Sequence, residues 1–150
     1  MKTFMLDSNI FDKIITDDIV KNKILELKGH NKIKILTTHV QLDELRNTPN
    51  VSKRTELVKC VKEICELIPT MGSVIGVSKV GMNRISNGKN IEVIRQDNMK
   101  RTRDSLISST ASSDADFLVT EDRSFASRVK RNLNIQVLKY TDFVKVLNSL

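Results

Sequence analysis

Apolar residues in this chain follow two different periods, and the way the periods alternate predicts a fold made of both strands and helices. Compact or alternating apolar runs at 3–6, 32–36, 117–119 and 135–138 predict strands. Apolar residues at helical spacing predict helices over about 10–29, 38–47, 52–67, 104–111, 123–132 and 140–150. Because strands alternate with helices, we expect right-handed crossovers and a mostly parallel sheet, which is an α/β fold.

Several predicted helix ends carry known terminus signals. Gly29 is a suitable C-terminal stop for the helix that starts near residue 10. Thr38 and Gln41 have the spacing of a capping box, which predicts that a helix begins there. Pro49 ends that helix, and Pro69 ends the following one, because proline cannot continue a helical hydrogen-bond pattern.

Composition places the chain among ordinary globular proteins of one domain, residues 1–150. Hydrophobic residues make up 39% and charged residues 29% of the sequence, which excludes collagen-like, low-complexity and disordered classes. No apolar run approaches the roughly 18 residues that a membrane span needs. The opening residues MKTFML are not expected to act as a signal peptide, and two cysteines are too few for a secreted disulfide framework. A cytoplasmic protein is therefore expected.

The net charge of +7 is concentrated in one segment, and it favours a polyanionic partner such as nucleic acid. Residues 79–103 carry a net charge of +5, whereas 1–78 carry +2 and 104–150 carry none. The segment's acids are Glu92 and Asp97, and its cations are Lys79, Arg84, Lys89, Arg95, Lys100, Arg101 and Arg103. Since aromatic residues are only 4% of the chain, binding would depend on phosphate contacts rather than on base stacking.

Glycine is frequent in and before this basic segment, and it predicts a mobile, basic loop or hairpin at about 72–90. Two interpretations are open for the loop. It is either an ordinary solvated loop or an arm that contacts phosphate groups.

Carboxylates follow the predicted strands or begin the helices after them. Ligands bind at the carboxyl ends of parallel strands, so four separate segments can bring these acids to one edge of the sheet. Helical periodicity does not decide whether Asp43 or Glu44 points inward. In chain order the acids are Asp7, Asp43 or Glu44, Asp104, and the pair Glu121 and Asp122.

Each acid taken alone also has an ordinary structural explanation. Asp7 could form an Asx turn, Asp104 and Asp122 could cap helices, and Glu44 could be a solvated helix residue. Gathered together, however, unpaired carboxylates would repel one another, and a divalent cation would remove that repulsion. Oxygen ligands alone suit Mg²⁺ or Mn²⁺.

The ordered set of these motifs resembles the PIN-domain ribonucleases, a family that includes the toxins of many bacterial and archaeal toxin–antitoxin pairs. The resemblance covers most of the chain. It implies a three-layer α/β/α sandwich with a mostly parallel central sheet of four or five strands. The motifs are Asp7-Ser8-Asn9 after a strand, Asp43-Glu44-Leu45 on a helix, Arg103-Asp104-Ser105-Leu106-Ile107, and Leu118-Val119-Thr120-Glu121-Asp122.

The resemblance implies a divalent-metal-dependent endoribonuclease that hydrolyses RNA phosphodiester bonds. The family's acids correspond to Asp7, Glu44, Asp104 and Asp122, which would bind one or two Mg²⁺ or Mn²⁺ ions, Glu44 through a water molecule. Asn9 and Thr120 would orient the site. An antitoxin protein and a homodimer are further partners that the resemblance implies.

The chain departs from the family pattern in two places, and other functions compete with the nuclease. Glu121 adds a carboxylate that could take part or face solvent, and the stretch 72–90 does not match the expected central helices. A non-catalytic nucleic-acid-binding module with the same fold is the main alternative. A partner-binding protein is another, and a phosphoacceptor receiver domain is disfavoured because Lys139 lies past the last strand.

Neither the histidines nor the cysteines suggest a second kind of site. His30 lies beside a turn and His39 in the first turn of a helix, and structural or solvent-facing roles are expected for both. Cys60 and Cys65 are five positions apart on a predicted helix and would face different ways, so we interpret them as small buried apolar residues rather than zinc ligands.

Overall fold

Five parallel strands form the central sheet of this computed structural model, which describes residues 1–96 and 98–150. Asp97, one of the two acids of the basic segment, lies outside the described residues. Along the chain the elements are β1 (Lys2–Leu6), α1 (Ser8–Ile14), α2 (Asp18–Gly29), β2 (Ile33–Thr37), α3 (His39–Arg46), α4 (Val51–Ile64), β3 (Glu66–Leu67), β4 (Thr70–Met71), β5 (Asn83–Arg84), α5 (Lys89–Arg95), a 3₁₀ turn (Met99–Arg101), α6 (Thr102–Asp114), β6 (Phe117–Val119), α7 (Arg123–Asn132), β7 (Gln136–Leu138) and α8 (Tyr140–Asn148).

The central sheet has the strand order β3-β2-β1-β6-β7, and all of its pairings are parallel. β1 lies in the middle, with Phe4 opposite Ile35 of β2 on one side and Met5 opposite Leu118 of β6 on the other. The predicted α/β fold with four or five mostly parallel strands is therefore confirmed.

Side chains alternate across the sheet and divide the core into two layers. On β1, Phe4 and Leu6 pack on one face and Met5 on the other, as the two-residue period of a strand requires. The first face packs on α1, α2, α4 and α8 through Ile10, Ile24, Leu57 and Phe143. The second packs on α5, α6 and α7 through Ile94, Leu106 and Phe125. Helices on both faces give the three-layer α/β/α sandwich.

The helix expected over 10–29 is wrong as a single element, because the chain breaks between α1 and α2. Asp17 caps α2 by accepting a hydrogen bond from the Val20 N–H at 3.1 Å, and Thr16 folds back onto the Lys13 carbonyl at 3.0 Å. Ile19, an apolar residue within the predicted helix, is 83% exposed. A local aspartate cap therefore overrides the continuous apolar spacing.

The helix expected over 52–67 ends early, and a strand follows it. α4 stops at Ile64, and β3 pairs Glu66 with Leu36 and Leu67 with Thr37 of β2. Two residues are too few to show an alternating pattern, and their strand conformation depends on the neighbouring β2. Cys60 is buried and Cys65 half-buried, and both are free thiols, as expected of small apolar residues.

The stretch 72–90 is a loop held at both ends rather than a hairpin. β4 and β5 pair in parallel, whereas the strands of a hairpin would run antiparallel. The Met71 N–H donates to Thr110 Oγ1 at 2.8 Å, and Arg84 pairs with Asp114, so both strands are tied to α6. Gly72 has φ +94°, and a Cβ there would lie 2.5 Å from Ile91 Cδ1 of α5, which only glycine avoids.

None of the helices in the described part of the chain is both long enough and apolar enough to cross a membrane.

Candidate active site

The strand order reverses direction between β1 and β6. From β1 the chain proceeds outward through β2 to β3, while β6 returns to the other side of β1 and leads to β7. In open parallel sheets this reversal leaves a crevice at the carboxyl ends of the two central strands. Asp7 follows β1 and Thr120 follows β6, so both lie at this crevice.

Asp7 is the centre of a hydrogen-bond network that joins the two strands. It is 8% exposed and caps α1, with Oδ1 accepting from the Ser8 N–H at 2.8 Å. Its Oδ2 accepts from Thr120 Oγ1 at 2.6 Å and from Asn9 Nδ2 at 2.7 Å. Asn9 Oδ1 in turn accepts from the Glu121 N–H at 3.2 Å. The structure therefore places Asn9 and Thr120 where they orient Asp7.

The structure decides between the two acids of α3. Glu44 accepts a hydrogen bond from the Ser8 hydroxyl and lies 3.7 Å from Arg103 NH1, so it faces the crevice. Asp43 points elsewhere and pairs with Lys79 Nζ at 2.6 Å.

The predicted capping box directs α3 toward this crevice. Thr38 donates its N–H to Gln41 Oε1 at 2.7 Å, and Gln41 Nε2 donates to the Leu6 carbonyl at 2.7 Å. The start of α3 is thereby fixed to the end of β1, and Glu44, one turn further along, is brought beside Ser8.

Asp104 reaches the crevice from the first turn of α6. The inward face of this helix carries small residues, with Ser105, Ser108 and Thr110 fully buried, and these let α6 approach the sheet closely. The Asp104 carboxylate accepts from Arg128 NH2 at 2.7 Å. Arg128 lies on the inward face of α7 and is itself buried.

Asp122 begins α7 directly after the loop from β6. Its Oδ1 accepts from the Phe125 N–H at 2.8 Å, so it acts as the helix cap that its sequence position suggested. Its N–H donates to Thr120 Oγ1 at 3.1 Å, which links it to the network around Asp7. The side chain of Asp122 thus caps α7, while its backbone N–H makes the link to Thr120.

Asp7, Asp122 and Glu44 are close enough to Asp104 to perturb its ionisation. Burial raises the pKa of Asp104 to about 6, even though Arg128 lowers it, and repulsion by Asp7, Asp122 and Glu44 adds to the rise. A carboxyl group with a pKa in this range, surrounded by like charges in a crevice, is typical of a functional site.

The pKa values of two other acids are also raised. Burial is the largest cause at Asp7, where hydrogen bonds from Thr120, Ser8 and Asn9 counteract it in part and repulsion by Asp122 adds to it. Burial also raises the pKa of Glu44, with repulsion by Asp7 adding to the effect and Ser8 and Arg103 opposing it. The metal-free site therefore holds its negative charges at a cost in free energy.

The chemistry of these donors fits Mg²⁺ or Mn²⁺, because the four candidates offer only carboxylate oxygens. In the conformation seen here, no three acidic, histidine or cysteine side chains of residues 1–96 and 98–150 are gathered as a metal-binding group. Asp104 is bonded to Arg128, and Glu44 to Ser8. A cation would have to share or replace these contacts.

The remaining candidates of the sequence take ordinary structural roles. Glu121 Oε1 accepts from the N–H of Tyr140 at 2.9 Å, so this carboxylate caps the first turn of α8 instead of joining the acids or facing solvent. His39 is buried in the first turn of α3, where neither ring nitrogen has a hydrogen-bond partner in the described part of the chain, and His30 is exposed at the end of α2.

Most of the predicted phosphate-binding cations already contact a side chain of the protein. Lys89 and Lys100 are exposed and have no ion-pair partner among the residues described. The other contacts are Lys79 with Asp43, Arg84 with Asp114, Arg95 with Glu92, Arg101 with Gln96, and Arg103 with Glu44. The cations are thus spread around α3, α5 and α6 rather than gathered on one loop.

A cavity of about 550 Å³ lies between α3 and the loop at 76–79. Arg46, Lys79 and Arg103 line it together with Asp43, so its charged lining residues are three cations and one acid. Arg103 also contacts Glu44, and the cavity therefore adjoins the acidic crevice.

Sequence reasoning missed Ser8 and Arg128. Ser8 follows Asp7 directly, and no local signal marks its contact with Glu44, which is 36 positions away. Arg128 had a signal, because it shares a helix face with the apolar residues Phe125 and Val129. An arginine at such a position requires an acidic partner in the folded protein.

Compared with models of known protein families and with curated proteins, the sequence of this chain gives no match.

Proposed function

We propose that this protein is a divalent-metal-dependent ribonuclease of the PIN type. The observation that carries the proposal is that Asp7, Glu44, Asp104 and Asp122 approach the crevice between β1 and β6 from four separate elements, although, among the residues described, they are not gathered as a metal-binding group in the conformation seen here. Repulsion by the other three acids, which adds to the raised pKa of Asp104, supports the proposal. A fold of this class alone would be a poor argument for function, so the proposal depends on these side chains.

Each residue of the crevice has a role that its contacts support. Asp7, Glu44, Asp104 and Asp122 would hold the cation. Thr120 and Asn9 hold Asp7 Oδ2 in one orientation, and Ser8 does the same for Glu44. When bound, Mg²⁺ or Mn²⁺ polarises a phosphoryl oxygen and makes water a stronger nucleophile at neutral pH. No side-chain nucleophile is then required.

The distribution of charge supports a nucleic-acid substrate. The net charge is +7, and the cavity lined by Arg46, Lys79 and Arg103 adjoins the acids. A phosphate backbone that passes over this cavity would bring a neighbouring phosphodiester to the crevice. The choice of RNA, a toxin role, an antitoxin partner and a homodimer stay predictions of the family resemblance.

The test is cleavage of labelled single-stranded and structured RNAs by the full chain with Mg²⁺, with Mn²⁺ and with a chelator. Asp7→Asn and Asp104→Asn remove one carboxylate charge each and should lower the rate at least about 100-fold. Asp12→Asn is the matched control, because Asp12 is exposed on α1 and pairs with Lys53, and it lines neither the crevice nor the cavity. Cleavage that persists in chelator would overturn the metal mechanism.

A second candidate is a non-catalytic nucleic-acid-binding module. The contacts of Asp104 with Arg128 and of Glu44 with Ser8 favour it, since both acids already have partners inside the protein. For such a module, wild type would bind RNA in a salt-sensitive way without cutting it. Asp7→Asn would then leave binding unchanged.

A further inference from the structure

Arg128 is the one arginine of α7 that points into the protein. Its side chain is 9% exposed, whereas Arg123 and Arg131 of the same helix are exposed to solvent. NH2 donates to Asp104 Oδ2 at 2.7 Å and NH1 donates to Ser124 Oγ at 2.7 Å. The Phe125 ring lies 6.0 Å from the guanidinium carbon. The guanidinium is thus held from three directions beside the acids.

Burying a guanidinium is costly unless an opposite charge compensates it. Its Nε is also buried and has no hydrogen-bond partner in the described part of the chain, so Arg128 does not obtain full hydrogen bonding in return. Packing of α7 alone does not explain this residue, because an apolar side chain beside Phe125 and Val129 would avoid the cost.

The charge of Arg128 affects more than its ion pair with Asp104. Asp104 is repelled by Asp7, Asp122 and Glu44, and Arg128 is the cation that opposes this repulsion at Asp104. Asp122 caps α7 and Arg128 lies within it, so this helix carries the counter-charge of Asp104 and begins next to another acid of the crevice.

We propose that Arg128 is the internal counter-ion of the acidic crevice and the residue that positions Asp104. It keeps the four carboxylates together while no cation is bound, and it fixes the Asp104 carboxylate for a cation to share. The part that concerns the cation rests on the proposed function. The part that concerns the metal-free protein does not.

The test is thermal unfolding of the full chain, with chelator and with Mn²⁺, for wild type and Arg128→Gln. In chelator, the Tm of Arg128→Gln should fall by roughly 5–10 °C, because Asp104 loses its counter-charge while the other three acids still repel it. Mn²⁺ should raise the Tm of this variant by at least about 3 °C more than that of wild type, because the cation replaces the missing charge. The Tm of Arg128→Lys, which keeps the charge, should lie between that of Arg128→Gln and that of wild type.

Arg131→Gln is the matched control, because Arg131 is exposed on the same helix and, among the residues described, its side chain bonds only to the Ser127 carbonyl. Its Tm should stay within about 1 °C of wild type under both conditions. If Arg128→Gln does not fold, the double variant Asp104→Asn with Arg128→Gln decides, because it removes one charge of each sign. In chelator it should unfold at a higher temperature than Arg128→Gln alone, or fold where that variant does not.

Two results would overturn the proposal. The first applies if Mn²⁺ stabilises wild type. In that case the proposal fails if the Tm difference between Arg128→Gln and wild type is the same with Mn²⁺ as with chelator. The second is a double variant no more stable than Arg128→Gln. If Mn²⁺ shifts neither wild type nor any variant, the proposed function fails, while the comparison of single and double variants in chelator still decides the role of Arg128.

Discussion

The Thr120 hydroxyl donates to Asp7 Oδ2 at 2.6 Å, although the two residues are 113 positions apart in the sequence. The contact is possible because β1 and β6 are neighbours and Leu6 lies opposite Val119. Each residue follows directly on its strand, so the sheet register sets this short distance. Asp7, the most deeply buried of the four acids, is thereby held in one orientation.

Thr120→Val should weaken this end of the sheet. The substitution keeps the shape but removes the donor to Asp7 and the acceptor for the Asp122 N–H. We expect unfolding free energy to fall by about 1–2 kcal/mol in urea denaturation with chelator. Thr120→Ser, which keeps the hydroxyl, is the control and should recover most of the loss. Equal stability of the valine variant and wild type would show that the contact contributes nothing.

The stability of the metal-free protein should fall as the pH rises from about 4 to about 6. The folded-state pKa of Asp104 is about 6 and its ordinary value is 3.8, so the folded protein binds more protons than the unfolded chain in this window. The groups that face Asp104 are Arg128, which opposes the shift, and Asp7, Asp122 and Glu44, which increase it.

The side chain of Asp104 is 35% exposed, so solvent screening reduces its contribution to about 1 kcal/mol. Urea denaturation in chelator at several pH values, for wild type and Asp104→Asn, measures it. The unfolding free energy of Asp104→Asn should change less with pH than that of wild type. The change that remains is due to Asp7 and Glu44, whose pKa values are also raised. Parallel curves for the two proteins would contradict this assignment.

Gly72→Ala should destabilise the protein more than Gly76→Ala. Both glycines have positive φ, +94° and +84°, and alanine is strained at both. At Gly72 a Cβ would also lie 2.5 Å from Ile91 Cδ1, while at Gly76 nothing lies within 4 Å. We expect losses of about 2–3 kcal/mol and about 1 kcal/mol respectively. Urea denaturation compares them, and equal losses would mean that α5 yields to the added methyl group.

Lys89→Gln combined with Lys100→Gln should weaken RNA binding, because these exposed lysines are open to phosphate groups. Each lost contact should reduce the slope of log K against log salt by about 0.7 for a single strand. Lys62→Gln combined with Lys145→Gln, on α4 and α8 in the opposite layer, also removes two charges and is the control. Fluorescence anisotropy over a salt series measures both, and equal affinities would place the RNA elsewhere.

Several elements followed from the sequence because their signals are local. The residues Thr38 and Gln41 form the predicted capping box, and the helix over 123–132 has the predicted bounds. A cap or an amphipathic face involves residues within a few positions of each other, so the pattern of residue types carries it. Which acid follows which strand is also a relation between residues close in sequence, so the sequence shows it as well.

Other features depend on contacts between distant residues, and only the tertiary structure decided them. β3 is a strand because it pairs with β2. Glu44 faces the crevice because it bonds to Ser8, whereas Asp43 pairs with Lys79. Arg128 pairs with Asp104 across 24 positions. The sequence by itself determined which residue types follow each strand. The sheet order decided which of these residues meet, because strand register and the packing of layers bring together segments that are far apart in the sequence.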